Sequence, residues 1–256
     1  MKALLVIAAI LIMPGLYPAA RQDVDKEVRV ELLVAAGAGL TAALSELGPL
    51  YERHNPAVRV VTTFGSSGSL AEQIKRGAPI DAFISASVTH MDTLTRIGMV
   101  DGDATRVIAS SELVLIVPEK SSSPVSFKDL AKASVARVAI GEPSSVPAGA
   151  YAEQTLRALG LLDQIRGKLV FAKDVRQAAV WAAAGEADAA IVYPSAIAGL
   201  RVRIVERAPE QSHQPIAFPG SVVSASKNRA EALAFLNWLS SPEASAIFAR
   251  HGLRTP

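Results

Sequence analysis

Four short turns in this sequence have the chemistry to hold an anion without using a charge. They read Ala36-Gly37-Ala38-Gly39-Leu40, Gly65-Ser66-Ser67-Gly68-Ser69, Val146-Pro147-Ala148-Gly149-Ala150 and Asp174-Val175-Arg176-Gln177. Each follows a run of strand character and opens a helical one. The start of a helix presents backbone N–H groups with no intrahelical acceptor, and the aligned peptide dipoles place partial positive charge there. Glycine, alanine and serine let an anion come close to that backbone, and Ser67 adds a hydroxyl donor. One such turn is ordinary αβ geometry. Four of them, spread over the chain, point to a shared oxyanion site. Tyr193 ends the apolar run Ala189-Ala190-Ile191-Val192 and offers a phenol as a further donor, with packing at a sheet edge as the alternative.

Other chemistries find less support. A serine hydrolase built on Ser67 needs a base, and none of His54, His90, His213 and His251 lies in a catalytic motif. The spacing of Gly65-Ser66-Ser67-Gly68 is not that of a Gly-x-Ser-x-Gly nucleophile turn. No HExxH helix or Walker loop is present, and no cysteine exists to act as nucleophile, metal ligand or lipid attachment point. The chain therefore reads as a binding protein, not an enzyme, with no cofactor. A carboxylate receptor would use an arginine fork. Arg176 is placed beside Val175, but a helix-start arginine reads as solvent-facing. Asp81, Asp101 and Asp103 are the nearest candidates for a cation site, yet Asp101-Gly102-Asp103 reads as a turn. With 26 basic and 24 acidic residues the formal charge is +2, which offers nothing to a nucleic acid.

The elements that position these turns form two αβ series. Strand patterns at Val28–Ala36, Val58–Phe64 and Ala82–Ser85 alternate with helical patterns at Thr41–His54 and Ser69–Arg76. After an apolar strand at Leu113–Val117, a second series begins. It has strands at Arg137–Ile140, Leu169–Ala172, Ala189–Val192 and Val202–Val205, with helices at Ala150–Leu159 and Val175–Ala184. Helices at Arg229–Leu239 and Pro242–Arg250 close the chain, the second capped by Ser241. Alternation of this kind implies parallel strands with helices on both faces. Two sets of similar size predict two lobes whose strand ends face a common cleft that closes by a hinge.

Half of the residues are apolar, enough for a sizeable core. Residues 1–20 differ from the rest. Lys2 precedes an apolar run from Ala3 to Met13, Pro14 and Gly15 break it, and Ala19-Ala20 precedes a charged stretch. The run is shorter than the roughly 20 residues a membrane-spanning helix needs. It matches a secretory signal peptide, which predicts export to the periplasm.

The turn sequences also carry a resemblance. Gly65-Ser66-Ser67-Gly68-Ser69-Leu70-Ala71-Glu72-Gln73-Ile74, then Gly77-Ala78-Pro79-Ile80-Asp81-Ala82-Phe83, resembles the periplasmic molybdate-binding proteins of ABC transporters, the ModA-like family. So do Val146-Pro147-Ala148-Gly149-Ala150, Asp174-Val175-Arg176 and Ile191-Val192-Tyr193, in the same order along the chain. The resemblance implies a type II periplasmic binding protein with two mixed sheets flanked by helices. It implies lobe 1 from residues 27–108 plus 218–256, and lobe 2 from residues 109–217. It further implies that Gly39, Ser67, Ala148, Val175 and Tyr193 bind molybdate or tungstate, so that molybdenum is held as its oxyanion through these residues alone. Sulfate or phosphate is the alternative cargo. The implied partners are a membrane permease and its ATPase, met by a monomer.

Two departures matter. The family often has aspartate two residues after its tyrosine, where this chain has Ser195, a position to which the sequence assigns no direct role. The family has serine where this chain has Gly39, so the backbone N–H is kept and a hydroxyl is lost. A hydrogen bond to a charged group is worth about 1.5–3 kcal/mol, or roughly ten- to a hundredfold in affinity. Substitution by Ser66 would restore the donor, and the missing side chain leaves room for a bulkier anion.

Overall fold

Apolar strands followed by capped amphipathic helices build two sheets in this chain, and every candidate turn falls at a strand's C-terminal end. The computed structural model describes residues 29–256, so the expected signal peptide and the start of the first expected strand at Val28 lie outside the described residues. The first part contains β1 (Val30–Gly37), α1 (Thr41–His54), β2 (Val58–Gly65), α2 (Ser67–Lys75), β3 (Ala82–Ile84), α3 (Val88–Arg96) and β4 (Arg106–Ser111). The second contains β5 (Val114–Pro118), β6 (Val138–Gly141), α4 (Pro147–Ala158), α5 (Leu162–Ile165), β7 (Leu169–Ala172), α6 (Val175–Ala183), β8 (Ala189–Val192) and β9 (Val202–Arg207). The chain then returns through β10 (Ile216–Val222), α7 (Arg229–Trp238) and α8 (Pro242–Arg250).

The strand orders are β2-β1-β3-β10-β4 and β7-β6-β8-β5-β9. In the first sheet β1, β2 and β3 run parallel, while β10 lies antiparallel between β3 and β4. In the second, β6 is parallel to β7 and β8, and β5 is antiparallel to β8 and β9. Both sheets are thus mixed, as the resemblance implied. Register places the turns side by side: Gly37 is opposite Gly65, and Gly141 is opposite Ala172. The chain passes between the sheets at residues 112–113 and again at 208–215. The division expected at 108/109 and 217/218 cuts β4 and β10, because both strands continue past those points in the first sheet.

Four elements carried no clear sequence signal, the four-residue helix α5 among them. Strand β10 contains Pro219 and Gly220, which argue against a strand; the register shift between Phe218 and Pro219 shows that a bulge accommodates them. Helix α3 contains Thr89, Thr93 and Thr95, weak helix formers, and buries only Met91 and Leu94. Strand β4 ends in Ala109-Ser110-Ser111 and has little apolar alternation. Two other helices start earlier than their patterns suggested. Ser66 caps α2 by accepting the Ser69 N–H, and Pro147 occupies the first position of α4, where its missing N–H costs nothing.

Close packing of α4 on β6 fixes the third turn. A methyl on Gly149 would stand 1.9 Å from the Gly141 carbonyl oxygen, an impossible contact between two backbones. On helix propensity alone Gly149→Ala should stabilise by up to about 1 kcal/mol. Overpacking costs about 1–3 kcal/mol or more and dominates at this distance. Gly149→Ala is therefore expected to destabilise the protein by at least about 2 kcal/mol, read from the urea unfolding midpoint. An unchanged or raised midpoint would show that α4 can lift from β6 without cost.

Candidate anion-binding site

All five residues singled out from the sequence line one small cavity between the sheets. Its wall comprises Gly37, Ala38 and Gly39, Gly65, Ser66 and Ser67, Ala86, Val146, Pro147 and Ala148, Val175 and Tyr193. No charged side chain is among them. The volume open to the centre of a water molecule is about 10 Å³, space for one compact ion and not for a sugar or peptide. A larger hollow of about 430 Å³ beside β6 and β7 gathers none of the four turns.

Three of the five residues, Ser67, Ala148 and Val175, lie in the first turn of an α-helix. Helices α2, α4 and α6 begin at Ser67, Pro147 and Val175, and none has an acidic residue in its first turn. The positive ends of α2 and α4 therefore remain uncompensated at the cavity, while α6 carries the Asp174 carboxylate at its cap. The neighbouring N–H groups are committed: Ser69 to the Ser66 hydroxyl, Gly149 to the Val146 carbonyl, and Gln177 to the Asp174 carboxylate at 2.8 Å. Those of Ser67, Ala148 and Val175 sit at positions where a helix supplies no acceptor. Ser67 is 1% exposed, and its hydroxyl oxygen accepts the Ala86 N–H at 2.8 Å. That bond fixes the oxygen and leaves its proton free to donate.

Tyr193 is buried, and its phenolic oxygen has no hydrogen-bond partner. Burial pushes its pKa well above the ordinary value, with Tyr151 adding a smaller effect in the same direction. The phenol thus stays protonated at neutral pH and remains a donor. Its ring meets Phe218 of the other sheet edge-on at 5.5 Å between centroids. The ring is thus packed against the other sheet, not at a sheet edge, while the phenol proton is left without an acceptor from the protein.

Several details differ from the sequence reading. Ser66 cannot replace the hydroxyl absent at Gly39, because it caps α2 and bonds the Ser69 hydroxyl at 2.8 Å. The space beside Gly39 is not open: a methyl there would lie 2.8 Å from Cδ2 of Tyr193. Gly68, read as an approach point for an anion, is instead met by the Ser145 carbonyl, to which its N–H donates at 3.0 Å. Arg176 does not face solvent; it donates to the Ala196 and Ala198 carbonyls, both at 2.9 Å, and ties α6 to the turn after Tyr193. Ser195, which the sequence marked as a departure without assigning it a role, is a buried hydroxyl without a partner in that same turn.

The alternatives lose their geometry. His54 and His251 pair with Glu243 and Glu46 on the surface, each at 3.0 Å, and His213 bonds the Gln214 carbonyl. None of the four histidines lines the cavity. Asp101 receives the Asp103 N–H and an ion pair from Arg229, and Asp81 is held by Leu33, Ser226 and Asn228. Among the described residues no group of acidic or histidine side chains is arranged to hold a metal cation.

Two mixed αβ sheets facing each other across a neutral donor pocket define a periplasmic-type solute-binding protein. The family model for bacterial extracellular solute-binding proteins matches residues 32–254. The chain is 36% identical over 234 residues to YvgL of Bacillus subtilis, provisionally named an ABC transporter substrate-binding lipoprotein, covering 91% of this chain and 89% of that one. It is 36% identical over 230 residues to the molybdate-binding protein ModA of Escherichia coli, covering 87% and 88%. Among solved structures, the periplasmic molybdate-binding protein of Azotobacter vinelandii aligns with a TM-score of 0.80 at 27% identity, over 88% of this chain and 99% of that one. The chain belongs to the ModA-like family of ABC transporter substrate-binding proteins, which are extracytoplasmic and not enzymes.

The buried phenol gives a pH-dependent signature. Its folded pKa lies above the ordinary 10.0 that applies in the unfolded chain. Its contribution to stability is therefore complete below about pH 10 and is lost as pH rises beyond it. Tyr193→Phe should flatten part of the stability decline between pH 9 and 11, read from urea midpoints (about the range bracketing a free phenol). Tyr51 and Tyr151, also raised by burial, keep the remainder. An unaltered decline would place the Tyr193 hydroxyl in contact with water.

Proposed function

We propose that this protein captures molybdate, and tungstate with it, in the periplasm and delivers it to an ABC permease driven by its ATPase. The observation that carries this reading is the meeting of Gly39, Ser67, Ala148, Val175 and Tyr193 around one uncharged cavity of single-ion size. Relatives at 35–36% identity that bear the name molybdate-binding protein support it. In this reading the backbone N–H groups of Gly39, Ala148 and Val175, both donors of Ser67 and the Tyr193 phenol surround the four oxygens of a tetrahedral dianion. The N-terminal signal at residues 1–20 directs export. The lobes close on the ion as a monomer, hinging where the chain crosses at 112–113 and 208–215.

Size sets the selectivity. Molybdate and sulfate have the same shape and charge, so counting hydrogen bonds barely separates them. Molybdate has the longer bonds to oxygen. Donors fixed on two folded lobes define a radius, and closing on a smaller ion leaves some of them unpaired at about 1–3 kcal/mol each. Tungstate nearly matches molybdate and should share the site.

Calorimetric titration with molybdate, tungstate, sulfate, phosphate and chromate tests the reading. Molybdate and tungstate are expected to bind within about tenfold of each other and at least about a hundredfold more tightly than sulfate. Preference for sulfate or phosphate would remove the size argument and reassign the cargo.

Gly39→Ser gives a second, opposite-signed test. By analogy with the family, the added hydroxyl should tighten binding. By the geometry, the new Cβ at 2.8 Å from Cδ2 must push the fully enclosed Tyr193 ring aside. The second effect is expected to dominate and weaken molybdate binding by about tenfold, the value of one donor bond. Tighter binding by the variant would mean that the ring yields freely.

A further inference from the structure

The buried hydroxyls without partners in the described residues are two, and they are neighbours in sequence: Tyr193 Oη and Ser195 Oγ. The first belongs to the site already described. The second does not line the cavity wall as it stands, yet it lies 3.6 Å from where a Cβ on Gly39 would be. Ser195 is 3% exposed and sits in the short 3₁₀ turn Pro194–Ile197, which follows β8. A buried hydroxyl rarely goes unpaired, because desolvation without a bond costs it free energy. Something at this end of the cavity is positioned to accept its proton.

We propose that Ser195 is a ligand donor, supplying from the second sheet the hydroxyl that Gly39 does not supply from the first. Three features support this. The Ser195 oxygen stands beside the loop whose side-chain donor is missing. Gly39 lets the Tyr193 ring lie against the loop backbone, so the ring and the serine hydroxyl of one turn both stand beside the Gly39 loop that lines the cavity. Arg176 clamps that turn through the Ala196 and Ala198 carbonyls, and the Ala196 N–H closes it onto the Tyr193 carbonyl at 3.0 Å. The clamp matters, because a hydroxyl on a mobile turn would lose rotational freedom on every binding event, whereas this one is already fixed. A charged acceptor is favoured because the Tyr193 phenol of the same turn also lacks a partner from the protein. The inference rests on the oxyanion reading above.

Ser195→Ala separates the possibilities. Wild type and variant are titrated calorimetrically with molybdate, tungstate, sulfate and phosphate, and each is melted without ligand. The variant is expected to lose at least about tenfold in affinity for the best-bound anion, the value of a charge-assisted bond. Its ligand-free melting temperature should stay the same or rise, since removing an unpaired buried hydroxyl relieves a cost. An affinity loss smaller than tenfold overturns the proposal and leaves the oxyanion reading intact. A drop in ligand-free melting temperature of several degrees also overturns it, because the hydroxyl then holds the fold. A wild-type protein that binds none of the four anions overturns the proposed function, and this inference with it.

Discussion

Everything at this site depends on backbone N–H groups that the fold leaves without acceptors. Helices α2, α4 and α6 each start at the cavity, and a helix start always strands its first donors. Side-chain caps relieve only part of this; Ser241, for instance, accepts the N–H of the third residue of α8, Ala244. At the cavity the caps serve the same position, Ser69 and Gln177, and leave the N–H groups of Ser67 and Val175 facing it. A closed, empty cavity thus carries several unpaired donors, each costing about 1–3 kcal/mol. An anion that satisfies them shifts the lobes toward closure by that differential interaction, and nothing else needs to change.

Neutral donors suit a small dianion better than a lysine or arginine would. A fixed positive charge attracts every anion in proportion to its charge, sulfate included. Dipoles held by helices act only over a short range, so they reward an ion whose oxygens reach them. The all-neutral wall also explains why Tyr193 must remain protonated. Its burial, which raises the pKa, is the same feature that keeps its proton available. Ion pairs such as Arg59–Glu31 lie at the surface, more than half exposed, and contribute little.

Much of this was legible in the sequence because strand ends and helix starts have chemical signatures. Small residues after an apolar run located four turns, and the resemblance assigned one residue in each to the site. Sheet order was not legible, since β10 enters the first sheet through a bulge that hides it behind Pro219 and Gly220. Nor was the use of individual glycines. A sequence shows that Gly39 lacks a side chain; it does not show that Tyr193, 154 positions later by simple counting along the chain, fills the space. Ser195 was visible as a departure from the family, but its role was not legible for a related reason: a serine in a turn shows none until its oxygen is seen to be buried and unpaired.

Gly68 shows how such a reading can be right about closeness and wrong about the partner. A methyl at this position would meet the Ser145 carbonyl oxygen at 2.7 Å and its Cα at 2.9 Å. What approaches the α2 backbone is therefore the opposite sheet's own chain, one residue before Val146 and the helix that offers Ala148. The bond from Gly68 N–H to Ser145 draws the second and third turns together at the cavity rim. Its net worth is about 1 kcal/mol, a roughly fivefold bias. That is enough to set the geometry in which the donors converge and too little to hold the lobes shut against their unpaired donors. Under the proposed function, the ion would complete closure. A glycine that carries no ligand contact thereby helps to fix the radius at which the ligand is measured.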